Sequence, residues 1–115
     1  MDDLSPFLPL SPAALHILLA LSGEDRHGYG IMQEIARQSE GKYKPGPGTL
    51  YDNLQKLLNQ SLLEEIERRR ADADERRRYY RLTRFGRRVL AAEVERLEGV
   101  VRAAKSNLKP VRRGI

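Results

Sequence analysis

Apolar residues along this chain fall into four runs at helical spacing and one stretch that alternates. Between Ser11 and Leu21, the side chains of Ala14, Leu15, Ile17, Leu18, Leu19 and Leu21 cover most of a helix's circumference, which predicts a central, largely buried helix. Ser11 suits the N-cap and Pro12 the first helical position, where a missing N–H costs nothing; Ser22 and Gly23 end the run. Glu24, Asp25 and Arg26 then read as an exposed turn. From Gly28 to Gln38, Ile31, Met32 and Ile35 supply a narrower stripe, with Gln33, Glu34, Arg37 and Gln38 turned to water. A third helix is predicted from Thr49, where Leu50, Leu54, Leu57 and Leu58 recur three or four apart after a Pro/Gly cluster that cannot be helix interior. The period then shortens. Leu62, Leu63 and Ile66 precede the charged segment RRRADADERRR and the run YYRLT, which together predict a β-hairpin. Thr83 is the expected N-cap of a last helix running from Arg84 to about Leu108. Its Leu90, Val94, Leu97, Val101, Ala104 and Leu108 step by four and three alternately, the rhythm of a coiled-coil seam.

The third helix organises the rest. Opposite its leucines it carries Thr49, Asp52, Gln55, Lys56 and Asn59, among them side chains of the kind that hydrogen-bond to base edges and phosphates. The segment alone could be an ordinary surface helix; its surroundings favour a recognition helix. Lys42 and Lys44 stand just before it, where exposed N–H groups and the positive helix end suit a phosphate. A hairpin after a recognition helix occupies the place of a wing. Its arginines, Arg76, Arg77 and Arg78 among them, either approach a phosphate backbone or form a solvated hairpin paired to Asp72, Asp74 and Glu75. At 1.5 Å per residue the last helix would extend roughly 35 to 40 Å, longer than so small a domain needs for packing. Its seam therefore calls for a partner chain, the competing arrangement being a helix folded back over its own domain.

The expected fold class is mostly α with a small β-hairpin, a winged helix-turn-helix plus a long C-terminal dimerisation helix. Residues 1–10 form an extended arm, 11–82 the DNA-binding domain, 83–109 the dimerisation helix and 110–115 a disordered tail. With 115 residues there is material for one domain. Twenty-one Lys and Arg against 16 Asp and Glu give +5 and a pI near 9.8, which favours an acidic partner such as double-stranded DNA. Absence of Cys removes disulfide scaffolds and thiolate metal sites. The opening MDDLSPFLPL has neither a basic n-region nor a long apolar run, so the expectation is a cytoplasmic protein without a membrane partner.

LSPAALHILLAL, HGYGIMQEI, PGPGTLYDNLQKL and RRRYYRLTRFGRRVL, in that order and spacing, resemble the PadR family of transcriptional regulators. The likeness runs from about Leu10 to Leu90, and the last helix fits the family's dimerisation helix by position and pattern. It implies a winged helix-turn-helix homodimer that represses transcription from an inverted-repeat operator and is often released by a small, frequently aromatic effector. Thr49, Tyr51 and their neighbours, Asn53 among them, would then face DNA, and Tyr80 and Leu82 would join the wing to the core. Two departures stand out: Asp52-Asn53 replaces the pair that often follows Leu-Tyr, and Ser61 stands where a Gly commonly ends the recognition helix.

The residues themselves leave some roles open. Tyr51 lies at the edge of the apolar stripe and either meets a phosphate or packs beside Leu54 and Leu58. Gly28 and Gly30 suit close packing of the second helix against the first better than a phosphate cradle, since no strand precedes them as a nucleotide fingerprint requires. Phe7, Leu10 and Leu15 either line an effector pocket or close the core. His16 and His27 lack a matching carboxylate spacing, so no metal and no cofactor are expected. Nothing assembles a nucleophile with a base, which argues against an enzyme. Glu64, Glu65, Glu67, Asp72, Asp74 and Glu75 motivate the alternative of a winged-helix interaction module without DNA binding.

Overall fold

The computed structural model describes residues 3–69 and 76–109, and of positions 68, 69 and 76 the backbone. The elements are α1 (Pro12–Ala20), β1 (Arg26–His27), α2 (Gly28–Gln38), α3 (Pro47–Asn59), β2 (Leu63–Arg69), β3 (Arg76–Leu82) and α4 (Arg84–Asn107), preceded by one 3-10 turn at Ser5–Phe7. The strands form an antiparallel sheet in the order β1-β3-β2, so the fold is a winged helix-turn-helix followed by a long helix. Asp72, Asp74 and Glu75 of the charged segment and the tail from Pro110 lie outside the described residues.

The buried residues form one core. Ile17, Leu18 and Leu21 of the α1 region meet Ile31 and Ile35 of α2, Leu50, Leu54 and Leu57 of α3, Leu62 and Leu63, Tyr80 and Leu82 of β3, and Val89 of α4. The N-caps at Ser11 and Thr83 form as the sequence predicts: Ser11 accepts from the Ala14 N–H and Thr83 from the Gly86 N–H. The Thr83 hydroxyl also reaches the Ser61 carbonyl at 2.7 Å. A Cβ at Gly86 would lie 2.0 Å from the Leu62 carbonyl oxygen, so glycine there lets α4 pass directly over the end of α3 and the start of β2.

Four expectations are corrected. The exposed turn expected at Glu24, Asp25 and Arg26 holds for Glu24 but not for Arg26: Arg26 and His27 pair with Tyr80 and Tyr79 as a third strand, and the Arg26 guanidinium donates to the Ala20 carbonyl at the end of α1. Glu34 does not face water. It is 8% exposed and holds Arg37 through two hydrogen bonds of 2.6 and 2.9 Å, Gln38 at 2.8 Å and Arg26 at 3.6 Å. Hydrogen bonding from Arg37 is the main cause that brings its carboxyl down to about 2, against the opposing effect of burial. The N-terminal arm is not extended throughout: Phe7 packs edge-on against Phe85, and the Leu10 N–H donates to Glu93. α3 begins at Pro47 rather than Thr49, with Gly46 as its N-cap and Pro47 at the tolerated first position.

Glu93, which the periodicity did not single out, is 1% exposed and anchors this arm to α4. The Arg96 guanidinium beside it holds its carboxyl below the usual carboxylate range.

Candidate nucleic-acid interface

The recognition-helix candidate is set rigidly by one face and left open on the other. Leu50, Leu54 and Leu57 are at most 2% exposed, so α3 cannot roll without opening the core. Thr49, Tyr51, Asp52, Gln55, Lys56 and Asn59 are exposed. Two polar side chains are partly occupied within the helix: Asn53 is half-buried and donates to the Thr49 carbonyl, and Gln55 donates to Asn59. Asn53 thus lies along the helix rather than straight outward. Lys42 and Lys44 are exposed in the connection between α2 and α3.

That connection opens on a helix end whose type recurs after α3. After α2, the Gly41 and Glu40 N–H groups bond back to the Ala36 and Arg37 carbonyls; after α3, the Leu62 and Ser61 N–H groups bond back to Leu57 and Leu58. Both need a left-handed residue, and Glu40 (φ 55°) and Ser61 (φ 63°) supply it without being glycine. The Ser39 hydroxyl continues the first of these ends by accepting from the Tyr43 N–H.

Gly28 does make room for close packing, but its neighbour is Tyr51 of α3 rather than α1. A Cβ at Gly28 would fall 2.1 Å from the Tyr51 hydroxyl oxygen. Tyr51 therefore leans its phenol tip on the start of α2 while remaining 49% exposed. The packing expected beside Leu54 and Leu58 is thus made by the hydroxyl against Gly28 of α2.

On the wing, opposed residues share a face. Leu63, Leu82 and Tyr80 face the core, and further out on that face Arg78 pairs with Glu65 at 2.7 Å. The other face carries Arg81, held between Glu64 at 3.2 Å and Asp25 at 3.3 Å, and Arg77, whose guanidinium lies 3.1 Å from the His27 ring. Arg77 is the wing arginine that reaches across to β1, while Arg78 is already engaged by a carboxylate. The Arg76 side chain lies outside the described residues.

The seam splits into two parts. Leu90 is 6% exposed and belongs to the core of its own domain, because α4 begins by packing over α1 and β3. Beyond it Val94, Val101 and Leu108 are 40, 48 and 80% exposed, Ala104 is exposed and Leu97 half-buried; Val100, absent from the predicted seam, is 50% exposed. Of the candidate effector residues, Phe7 and Leu10 border a groove of about 500 Å³ that also touches Asn53, Lys56 and Gln60 of the α3 region. Leu15 packs on the core and does not line it. Among the described residues no group of three or more His, Cys, Asp or Glu could hold a metal ion, and no helix is long and apolar enough to cross a membrane.

Comparison with known proteins gives these features a family. Residues 17–92 match the transcriptional regulator PadR-like family. A transcriptional regulator of Mycobacterium tuberculosis is 35% identical over 88 residues, which are 76% of this chain and 78% of that protein. The Escherichia coli transcriptional regulator YqjI is 43% identical over 49 residues, 43% of this chain but only 24% of its own length. A PadR family regulator from Clostridium difficile superposes with a TM-score of 0.74 at 20% identity, covering 85% of this chain and 99% of that one. Bacillus subtilis PadR, crystallised with operator DNA, superposes with a TM-score of 0.64 at 19% identity over 75% of this chain and 48% of its own. Shared fold, family match and the Mycobacterium relative agree: this chain belongs to the PadR-like family of transcriptional regulators, and its fold and family are those of regulators, not enzymes.

Proposed function

We propose that the chain acts as a homodimeric repressor on an inverted-repeat operator, with α3 entering the major groove and the wing following the adjacent backbone. The observation that carries this reading is the division of α3 into a clamped leucine face and an open face bearing Thr49, Tyr51, Gln55 and Lys56. A helix pinned in this way presents its polar face at a fixed angle, as base reading requires. Supporting it, Val94, Val100, Val101 and Leu108 leave an apolar strip on α4 that a second copy would cover. Two copies joined along α4 hold two α3 helices at one separation, which matches a two-fold symmetric site. A cytoplasmic location follows from the function, since the operator is there.

Responsiveness to a small molecule is the finer part of the proposal. The groove beside Phe7 and Leu10 reaches Asn53 and Lys56, so a ligand seated there would bear directly on α3 and shift the population away from the DNA-competent form. Selection of bound sequences from a random duplex pool, with the protein's mass in solution measured alongside, tests the proposal. A palindromic consensus and a mass of two chains are expected; recovery of no enriched sequence, or a single-chain mass with full affinity, overturns it.

A further inference from the structure

Beyond Leu90, the seam of α4 has two borders of different character. Val94, Val101 and Leu108 form one row of the seam, Leu97 and Ala104 the other. Directly after Leu97 and Ala104 come Glu98 and Lys105, and directly before Val101 and Leu108 come Val100 and Asn107. One border is therefore charged, with both signs present, and the other is uncharged. All four of these border residues are exposed. Glu95 and Arg102 stand further round the helix, and the Arg102 guanidinium turns back to 3.8 Å from where a Cβ on Gly99 would stand.

In a parallel pair of helices opposite borders meet, which sets Lys105 against Val100 of the second copy and gives it no opposite charge. In an antiparallel pair like borders meet, and two registers one heptad apart cover the exposed seam. The first sets Val101 against Ala104 and Leu97 against Leu108, and brings Glu98 of each chain beside Lys105 of the other, twice by symmetry. The second sets Val101 against Leu97 and Val94 against Ala104, and brings Glu98 against its own copy and Lys105 against Ala91. Apolar burial hardly separates the two, because each covers the exposed valines and Ala104. Charge does separate them, since facing carboxylates repel where a carboxylate and an ammonium attract. Leu90 points the same way: it would face Leu108 in the second register, yet its side chain is already taken up in the core of its own domain.

We infer that a second copy of this chain lies antiparallel along α4 in the first register, and that Glu98 and Lys105 are the residues that select it. The choice reaches the DNA. A slip of one heptad moves one chain past the other by about 10 Å at 1.5 Å per residue, roughly three base pairs of duplex. Two exposed side chains far from α3 thereby set the distance between the two half-sites. The inference rests on the dimeric reading of the chain and adds to it an orientation, a register and the pair of charges that hold it.

The test exchanges the charges. Glu98→Lys, Lys105→Glu and the double exchange Glu98→Lys with Lys105→Glu are compared with wild type by solution mass over a range of concentrations at low salt, with helical spectra recorded alongside. Lys and Glu are close in helix propensity, so each variant keeps α4. Each single variant should dimerise about tenfold more weakly than wild type, and the double exchange should return to within about twofold of it. An equimolar mixture of the two single variants should give mainly mixed pairs, because every Glu98–Lys105 position then joins opposite charges again. If the single variants dimerise as tightly as wild type, if the double exchange is as weak as they are, or if the mixture stays unmixed, the register is overturned while the dimer stands. If the wild type is a single chain at every concentration, the dimeric reading falls and the register with it.

Discussion

Ser61 sits at φ 63°, in the left-handed region where a side chain costs roughly 1–2 kcal/mol relative to glycine. It stays there because two N–H bonds close the end of α3, and because its carbonyl receives the Thr83 hydroxyl that starts α4. Replacing it with glycine relieves the strain at the cost of a looser unfolded chain, an offset of about 0.4–1 kcal/mol. Ser61→Gly is therefore expected to stabilise the fold by about 0.5–1 kcal/mol, read as a higher urea midpoint at unchanged slope. Glu34 makes a different residue-scale claim. Its folded carboxyl titrates near 2 against an ordinary 4.5, so its contribution is present above pH 4.5 and disappears as pH falls from there toward 2. Arg37 is 72% exposed, so solvent screening reduces the contribution to about 1–2 kcal/mol. Glu34→Gln should be destabilised by that amount at pH 7, and the gap to wild type should close below pH 4.5 in acid denaturation. A gap that is constant down to pH 2 would show that packing, not charge, is what the glutamate supplies.

At the scale of elements, α3 gives the direct prediction. Lys56 is exposed and lies in the last turn, and alanine is a strong helix former. Lys56→Ala should leave the melting temperature within a degree or two, lower DNA affinity about five- to tenfold on all sequences alike, and reduce the slope of log affinity against log salt by about one. Loss confined to the cognate sequence would instead make Lys56 a base reader. The elements themselves were largely legible: Ser11 and Thr83 as caps, the leucine spacing of α3 and the alternation around Ile66 each carry a local physical signal. What stayed hidden depends on partners distant in sequence. Arg26 and His27 form a strand only because β3 offers them an edge, and two residues have no periodicity. Glu34 and Glu93 each sit three residues before an arginine, the same spacing an exposed surface pair has, so burial could not be read from it. Within the candidate site, the exposure of Lys56 and Gln55 was legible from the helical wheel; the Gly28–Tyr51 contact and the turn of Arg77 toward His27 were not, because each joins separate elements.

The whole molecule is elongated for its length. A compact chain of this length has a radius of gyration of about 13 Å, whereas this one has 17.5 Å and a long axis of 70 Å. α4 adds to this length: it packs through Val89, Leu90 and Glu93 and then runs on with exposed residues from Val100 to Asn107. An isolated apolar strip of this kind gains stability only by burial against another surface. In a two-fold pairing a position near the axis meets its own copy, so one substitution there acts twice. Val101 is 48% exposed in the single chain, and Val101→Glu should therefore leave the fold of each chain intact while setting two carboxylates against each other in the pair. The expected outcome is a solution mass of one chain with an unchanged helical spectrum. DNA affinity should fall about 10²–10⁴-fold, because the second half-site no longer benefits from the effective concentration the first one gives it. The salt slope should drop to about half at the same time, since only one chain's phosphate contacts remain. These readouts must move together. If Val101→Glu is a single chain that still binds with full affinity and slope, α4 is not what spaces the recognition helices; if it remains a dimer, the pairing surface lies elsewhere on the domain.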